Sequence, residues 1–396
     1  MMFDSCKDIT YQNGLNISRF SQLLNDNAQG YKYYWLESII ELSLVFDGDI
    51  PFDEIFNLMI FYAWYSVTYY HLRLGPAVKA KEENFLEHAV KVLNEKNPGL
   101  DEGEIQADRI KLAIMNSSEA LHFDKMGLCN YVPHRLLTPF FKEPGLEEGL
   151  SYIKSDSRGR FSKYLSELDS DYNIFYIILD GRGLGKKIRI NKIWKRFLAD
   201  NYTIIKDWIQ FNKVQYLQNR NPGVPDISRK VSPEIEDERK LENVRTLWKM
   251  YSKITERPLV DIYSKDCIQE KKLSIDHFIP RSYLSNDELW DLIPMDKSLN
   301  SSKSNRLPNW DDYYSEFSDK QFLLYETIFP KDQKRICDEF VKQFIKCKRD
   351  NLNSLASEKL FVGGHCEEEF KNMLKDTILP LYHSAELMGY EKWIKN

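Results

Sequence analysis

The sequence predicts an α+β protein that is mostly helical and carries one small embedded module of two strands and a helix. Apolar residues recur with the 3.6-residue period of a helix through the first 150 residues and again after Pro308. Stretches that favour strands are few and short, at residues 173–180 and, within 258–310, at 260–263, 273–279 and 292–295. The 396 residues, 42% hydrophobic and 29% charged, suffice for two to four packed domains.

Changes of pattern along the chain divide it into four predicted regions. They are a helical N-terminal domain, a basic region of mixed structure, the strand-containing module and a C-terminal helical region, at residues 1–150, 151–257, 258–310 and 311–396. In the C-terminal region, Val341, Phe344 and Ile345 are expected to form one apolar helix face. We therefore expect a chain with several packed regions and find no internal repeat.

The first predicted helices are defined by apolar faces and by start and stop signals. Trp35 and Ile39 share one face of a helix. Pro51 suits the start of the next helix, which should end before Gly75. A third helix is expected near residues 82–93, because apolar positions recur there and Asn-Pro-Gly follows.

An uncharged stretch of 18 residues, Ile55–Leu72, raises the question of a membrane span. It contains four tyrosines together with asparagine, serine, threonine and histidine. Tyrosine prefers the edges of a membrane to its hydrocarbon centre, and polar groups are costly inside it. We therefore expect a buried, aromatic-rich helix here and no membrane association.

The middle region should begin with a strand and continue as helices. Residues 173–180 are β-prone and precede the loop Gly-Arg-Gly-Leu-Gly at 181–185. This loop matches neither the Walker pattern nor the dinucleotide-binding glycine pattern, so we interpret it as a turn. Helices are expected across 208–220 and 234–254, separated by the break at Asn221-Pro222-Gly223.

Cysteine usage and the N-terminus indicate the cytoplasm. The six cysteines contain no Cys-x-x-Cys pair, which argues against a zinc ribbon and against a disulfide framework. The first residues lack the basic and apolar segments of a signal peptide. Most histidines are isolated from other metal-binding side chains and are expected to be structural.

The segment 271–308 holds the strongest chemical pattern. Asp276 and His277 are adjacent at the end of a β-prone run, and Asn300 follows in a short predicted helix capped by Asp296. A carboxylate and an amide oxygen are suitable ligands for a magnesium ion. A neutral imidazole can take a proton from water near neutral pH. Together these groups fit metal-assisted hydrolysis.

These residues resemble the HNH nuclease motif of the ββα-metal superfamily, in particular the HNH domain of RNA-guided CRISPR effector nucleases. Asp276-His277-Phe278-Ile279-Pro280 matches its first element, and the segment from Asn300 to Pro308 matches its last. The resemblance implies a general base at His277 and ligands for Mg²⁺, or another divalent cation such as Mn²⁺, at Asp276 and Asn300. The middle Asn of the family is replaced by Asp291, which could orient His277 or add charge at the metal.

The distribution of charge supports a nucleic-acid partner despite an overall formal charge of −5. Residues 186–230 contain eleven basic and three acidic residues, with aromatic residues between them. A solvated basic face is an equally good interpretation of this run. The candidate phosphate-binding residues fall inside the module and in this run, namely Arg281, Lys297, Lys303, Arg306, Lys186, Lys187, Lys195 and Arg196.

The predicted function is a metal-dependent HNH endonuclease that hydrolyses phosphodiesters, with DNA as the expected substrate. The surrounding sequence resembles bacterial HNH proteins of defence or restriction type, so a companion sensor or ATPase subunit and a homo-oligomer are considered as partners. Two alternatives stay open: a non-catalytic nucleic-acid-binding or interaction subunit, and an RNA endonuclease.

Overall fold

A computed structural model describes residues 15–26, 28–77, 83–101, 107–168, 173–179, 181–231, 239–332 and 337–395. The chain forms two compact units, Met1–Pro222 (unit 1) and Gly223–Asn396 (unit 2). The boundary lies at the predicted Asn-Pro-Gly break, inside the region 151–257. The division into four functional regions stays a prediction.

Unit 1 is a predominantly helical unit with one small sheet. Its helices are α1 (Ile17–Phe20), α2 (Tyr31–Val45), α3 (Phe52–Thr68), α4 (Phe85–Lys96), α5 (Ala107–Asn116), α6 (Ser118–Cys129), α7 (Val132–Arg135), α8 (Glu147–Lys154), α9 (Arg158–Glu167), α10 (Lys192–Asp200) and α11 (Tyr202–Arg220). Its strands are β1 (Ile50–Pro51), β2 (Tyr176–Leu179) and β3 (Lys187–Ile190), antiparallel in the order β1–β3–β2.

The uncharged stretch at residues 55–72 lies mostly in α3, which packs its aromatic face into the core. Asp53 and Glu54 occupy the first turn, where the helix dipole favours negative charge. Phe56 and Trp64 are buried on this helix. Across the described residues, no helix combines the length and apolarity that a membrane span requires.

Unit 2 carries the strand-containing module and the helices that surround it. Its helices are α12 (Ile227–Val231), α13 (Glu242–Thr255), α14 (Arg281–Leu284), α15 (Lys297–Lys303), α16 (Trp310–Ile328), α17 (Asp338–Asn351), α18 (Leu355–Leu360) and α19 (Glu367–Leu387). Its strands β4 (Leu273–His277) and β5 (Leu292–Asp296) form an antiparallel pair. The helix predicted at 234–254 corresponds to α13, and its residues 234–238 lie outside the described residues.

Two sequence-based expectations for unit 2 are wrong. The β-prone run at 260–263 forms no strand, because Asp261 accepts hydrogen bonds from the amides of Tyr263 and Ser264 and turns the chain. A single bridge joins Val260 to Cys267 there. On α17, Ile345 is exposed, and the buried face contains Phe340, Phe344 and Cys347 instead. The cysteines within the described ranges are free thiols, as expected.

Candidate functional site

The strands β4 and β5 and the helix α15 form a ββα module. Asp276 lies opposite Ile293 and His277 opposite Leu292, at the end of β4. Helix α15 begins immediately after β5, and Asp296 accepts a hydrogen bond from the Ser298 amide at 2.8 Å as its N-cap. The short connection brings the predicted helix back onto the strand that ends in Asp276 and His277.

His277 is buried and held by a carboxylate at each ring nitrogen. Its Nδ1 lies 2.9 Å from Asp291 Oδ2, and its Nε2 lies 2.9 Å from Asp287 Oδ1. Burial opposes a positive imidazole, but the hydrogen bonds to Asp287 and Asp291 outweigh it and raise the pKa of His277 above its ordinary value. The arrangement therefore fixes the ring and favours its charged form.

The two carboxylates beside His277 differ in their surroundings. Asp291 is fully buried, and burial raises its pKa to about 6 although the His277 hydrogen bond opposes this. Its Oδ1 also accepts a hydrogen bond from the Ile279 amide at 2.9 Å. At Asp287, burial is outweighed by His277 and the Lys240 amide, and the pKa falls to about 2. Asp287 is thus the more acidic partner of the imidazole.

Asp291 occupies the position of the family's middle asparagine and holds the histidine directly. Its backbone carbonyl accepts a hydrogen bond from the Phe278 amide at 2.9 Å, and its carboxylate bonds both the imidazole and the Ile279 amide. These three hydrogen bonds join the end of β4 to the start of β5. These contacts are the ones that orientation of His277 would require, and the role of Asp291 stays a prediction.

Asp276 is buried and paired with an internal cation. Lys303 Nζ lies 3.2 Å from its Oδ1 and 3.1 Å from its Oδ2, and also donates to the His277 carbonyl at 2.5 Å. The Tyr263 hydroxyl donates to Asp276 Oδ2 at 3.3 Å. Burial raises the pKa of Asp276, and the Lys303 ammonium opposes that rise. The carboxylate thus lies where the protein itself supplies positive charge.

Asn300 crosses from α15 to the strand that carries Asp276. Its Nδ2 donates to Ser274 Oγ at 2.7 Å and to the Ile275 carbonyl at 3.3 Å. The donated bonds use the amide nitrogen, so the carbonyl oxygen is the group of Asn300 suited to a cation. Within the described residues no cluster of three or more His, Cys, Asp or Glu side chains is arranged for a metal. A carboxylate and an amide oxygen are ligands that suit Mg²⁺, and in this conformation Lys303 and Tyr263 contact the Asp276 oxygens.

The basic residues predicted in the module have unlike environments. Lys297 and Arg306 are exposed on and after α15. Arg281 is partly buried, with its Nε 3.4 Å from Asp287 Oδ1. Lys303 is fully buried and bonded to Asp276, so in this conformation it contacts a protein carboxylate rather than solvent. The four residues thus include two surface cations and two that belong to the carboxylate network.

The other predicted basic residues belong to unit 1. Lys187 and Arg196 are exposed, Lys186 is partly exposed, and Lys195 donates to the carbonyl of Phe46 at 2.8 Å. In the same run Lys213 is buried against Glu37 at 2.7 Å. Part of the basic surplus therefore serves internal contacts, which the charge count alone could not show.

Sequence reasoning missed Asp287 and Tyr263. Asp287 comes ten positions after His277 in a loop, and no motif spacing singles out Asp287 rather than its neighbour Glu288 as a partner of His277. Tyr263 lies in the run that was expected to be a strand. Its hydroxyl contact with Asp276 depends on the turn at Asp261, which a β-propensity argument does not reveal.

A comparison with protein families finds one match in the region just described. Residues 261–309, about one eighth of the chain, match the family model described as HNH endonuclease. No curated protein and no solved structure matches the chain significantly. The match spans the Asp261 turn, both strands and α15. It confirms the HNH endonuclease domain predicted from the Asp276-His277 and Asn300 motifs.

Proposed function

We propose that the HNH endonuclease domain at residues 261–309 hydrolyses a phosphodiester bond in DNA with the help of a divalent cation. One observation supports this above all: Asp276 and His277 are adjacent at the end of β4, and Asn300 of α15 donates a hydrogen bond to the Ile275 carbonyl of the same strand. A base next to a pair of oxygen ligands is the minimum that metal-assisted hydrolysis needs.

His277 is the proposed general base. It would take the proton of the attacking water, which requires one ring nitrogen to be available to that water. Asp291 is the proposed positioning residue, because its carboxylate holds His277 Nδ1 while it also binds the chain at Ile279. An imidazole held in this way is already oriented before the substrate binds.

Asp276 and Asn300 are the proposed ligands of Mg²⁺ or Mn²⁺. When bound, the cation would stabilise the negative charge that develops on the phosphate oxygens. Tyr263 and Ser274 hold the two ligands from the protein side, through the contacts with Asp276 Oδ2 and Asn300 Nδ2. Arg281, Lys297 and Arg306 are proposed contacts for the backbone of the substrate.

The test is nicking of supercoiled plasmid by the purified full chain. We expect cleavage with Mg²⁺, none with EDTA, and a loss of about 10²–10⁴-fold in His277→Ala. His383→Ala is the matched control, because His383 is exposed on α19 and contacts Glu386. Nicked circles should precede linear product, since one such module cuts one strand at a time. Full activity of folded His277→Ala would contradict the assignment.

The same assay separates the alternatives. Labelled single-stranded RNA run beside the plasmid tests an RNA endonuclease, which would cut the RNA in preference to DNA. Metal-dependent binding without cleavage of either substrate would favour a non-catalytic binding subunit.

For the biological role we propose bacterial anti-phage defence or restriction, which rests on sequence resemblance to such HNH proteins. Phage plating on cells that express the wild-type chain or His277→Ala, with its genomic neighbours, tests this role. We expect protection to need His277, and equal plating on both strains would contradict it.

A further inference from the structure

The Asp287 carboxylate lies inside a ring of donors that would suit a phosphate. Its Oδ1 is 2.9 Å from His277 Nε2, 3.4 Å from Arg281 Nε and 3.8 Å from the Arg239 guanidinium. Its Oδ2 accepts the Lys240 backbone amide at 2.8 Å. The guanidinium groups and the backbone N–H around this oxyanion are donors of the kind by which proteins bind phosphodiesters.

Asp287 is the more accessible of the two carboxylates on His277. Asp291 is bonded through its side chain and its backbone to residues 277–279, at the join of the two strands. Asp287 lies in the loop between α14 and β5, and its partners reach solvent, since the Arg239 side chain is 50% exposed and that of Arg281 27%. Rotation of the Asp287 side chain would break one buried hydrogen bond, that with His277, and leave the backbone contact with Asn351 in place, whereas the Asp291 side chain makes two buried hydrogen bonds.

The contact of Asp287 with Nε2 conflicts with catalysis by the same imidazole. A general base needs one nitrogen in contact with the attacking water, and here each nitrogen faces a carboxylate. A phosphodiester drawn to Arg239 and Arg281 would also lie against the negative charge of Asp287, which costs binding energy. Asp287 and the substrate phosphate thus compete for one set of donors.

We propose that Asp287 is an internal substitute for the substrate phosphate, and that Arg239, Arg281 and the Lys240 amide form the phosphate-binding site that it vacates. The inference rests on the proposed nuclease function and extends it by a binding site and by Arg239. When the phosphodiester displaces Asp287, Nε2 of His277 becomes available to water while Asp291 keeps Nδ1 in place. The substrate itself thereby converts the closed site into the active one.

Replacement of the carboxylate by its neutral isostere tests the competition. In Asp287→Asn we expect the KM for plasmid or duplex DNA to fall about tenfold without a decrease in kcat, because the substitution removes a negative charge that repels the substrate phosphate. Asp319→Asn is the matched control, since Asp319 is a half-exposed acid of unit 2 paired with Lys371. If kcat falls while KM is unchanged, Asp287 instead positions His277 for catalysis, and the proposal is overturned.

The arginine that only the structure identified gives a second, independent test. Arg239→Gln removes a surface guanidinium, so the fold should be retained, and we expect the KM to rise about tenfold with little change in kcat. In the double variant Arg239→Gln/Asp287→Asn, the decrease in KM that Asp287→Asn alone causes should largely disappear. Arg349→Gln is the control, because Arg349 is exposed and contacts its neighbour Asp350. Equal behaviour of Arg239→Gln and Arg349→Gln would refute the site.

Binding measured without cleavage separates this inference from the proposed function. Fluorescence anisotropy of a labelled DNA duplex in EDTA needs no catalysis, and the order of affinity should be Asp287→Asn, then wild type, then Arg239→Gln. That order in a protein that never cleaves DNA would support the phosphate site and contradict the nuclease. Equal affinities in a protein that does cleave DNA would overturn the phosphate site alone.

Discussion

Replacement of Lys303 by methionine provides the sharpest test of the internal charge pair of the HNH domain. Lys303 is 0% exposed and Asp276 4%, and Nζ lies 3.1–3.2 Å from both carboxylate oxygens. Methionine keeps much of the side-chain volume but removes the charge, so Asp276 is left buried without its cation. Removal of one partner from such a pair typically costs about 3–5 kcal/mol.

The loss should appear in the unfolding of unit 2. For a unit of this size each kcal/mol lowers the melting temperature by about 2–4 °C, so we expect a decrease of about 10 °C in Lys303→Met. Urea unfolding followed by tryptophan fluorescence gives the free energy directly. Lys297→Met is the matched control, because Lys297 is the exposed first residue of the same helix and should change stability by less than about 0.5 kcal/mol.

A second substitution separates the ion pair from general damage. The pair Asp276→Asn and Lys303→Met should lose less stability than the sum of the single variants, since neither charge is left alone. Added Mg²⁺ should stabilise Lys303→Met more than wild type, because the cation would replace the missing ammonium at Asp276. A free-energy change below about 1 kcal/mol in Lys303→Met would refute the reasoning.

Three further predictions concern the metal ligand, the C-terminal contact and acid stability. Asn300→Ala should raise the Mg²⁺ concentration for half-maximal cleavage about tenfold or more, and an unchanged titration would exclude Asn300 as a ligand. Trp393→Ala should destabilise unit 2 by about 3–5 kcal/mol, as measured by urea unfolding, because Trp393 is buried against Tyr263. It should also lower cleavage, since Tyr263 donates a hydrogen bond to Asp276. Unaltered stability would contradict this prediction. Burial lowers the pKa of His134 to about 3, whereas the ordinary pKa of histidine is 6.5. Between these two pH values the unfolded chain binds one more proton at this residue than the folded chain does, so stability decreases as the pH is lowered. From pH 7 to pH 5 unit 1 should lose about 2 kcal/mol through this residue, a loss absent from His134→Phe in urea titrations at both pH values.

Local sequence signals predicted much of the fold correctly. Helix α3 begins after Pro51, α11 ends at the Asn221 break, and Asp296 caps α15 as expected. These features depend on residues a few positions apart, which a sequence displays directly. The prediction of a strand at 260–263 is wrong, because the Asp261 side chain, rather than a partner strand, accepts the hydrogen bonds of the Tyr263 and Ser264 amides.

The sequence by itself identified the HNH motif, because the covalent chain fixes the residue types and the spacing of Asp276, His277 and Asn300. Only the tertiary structure decided which charges meet. It brought Asp287 to His277 and Lys303 to Asp276 by folding a loop and a helix over one strand end. Buried charges must find partners wherever the fold places them, so neither contact can be predicted from spacing alone.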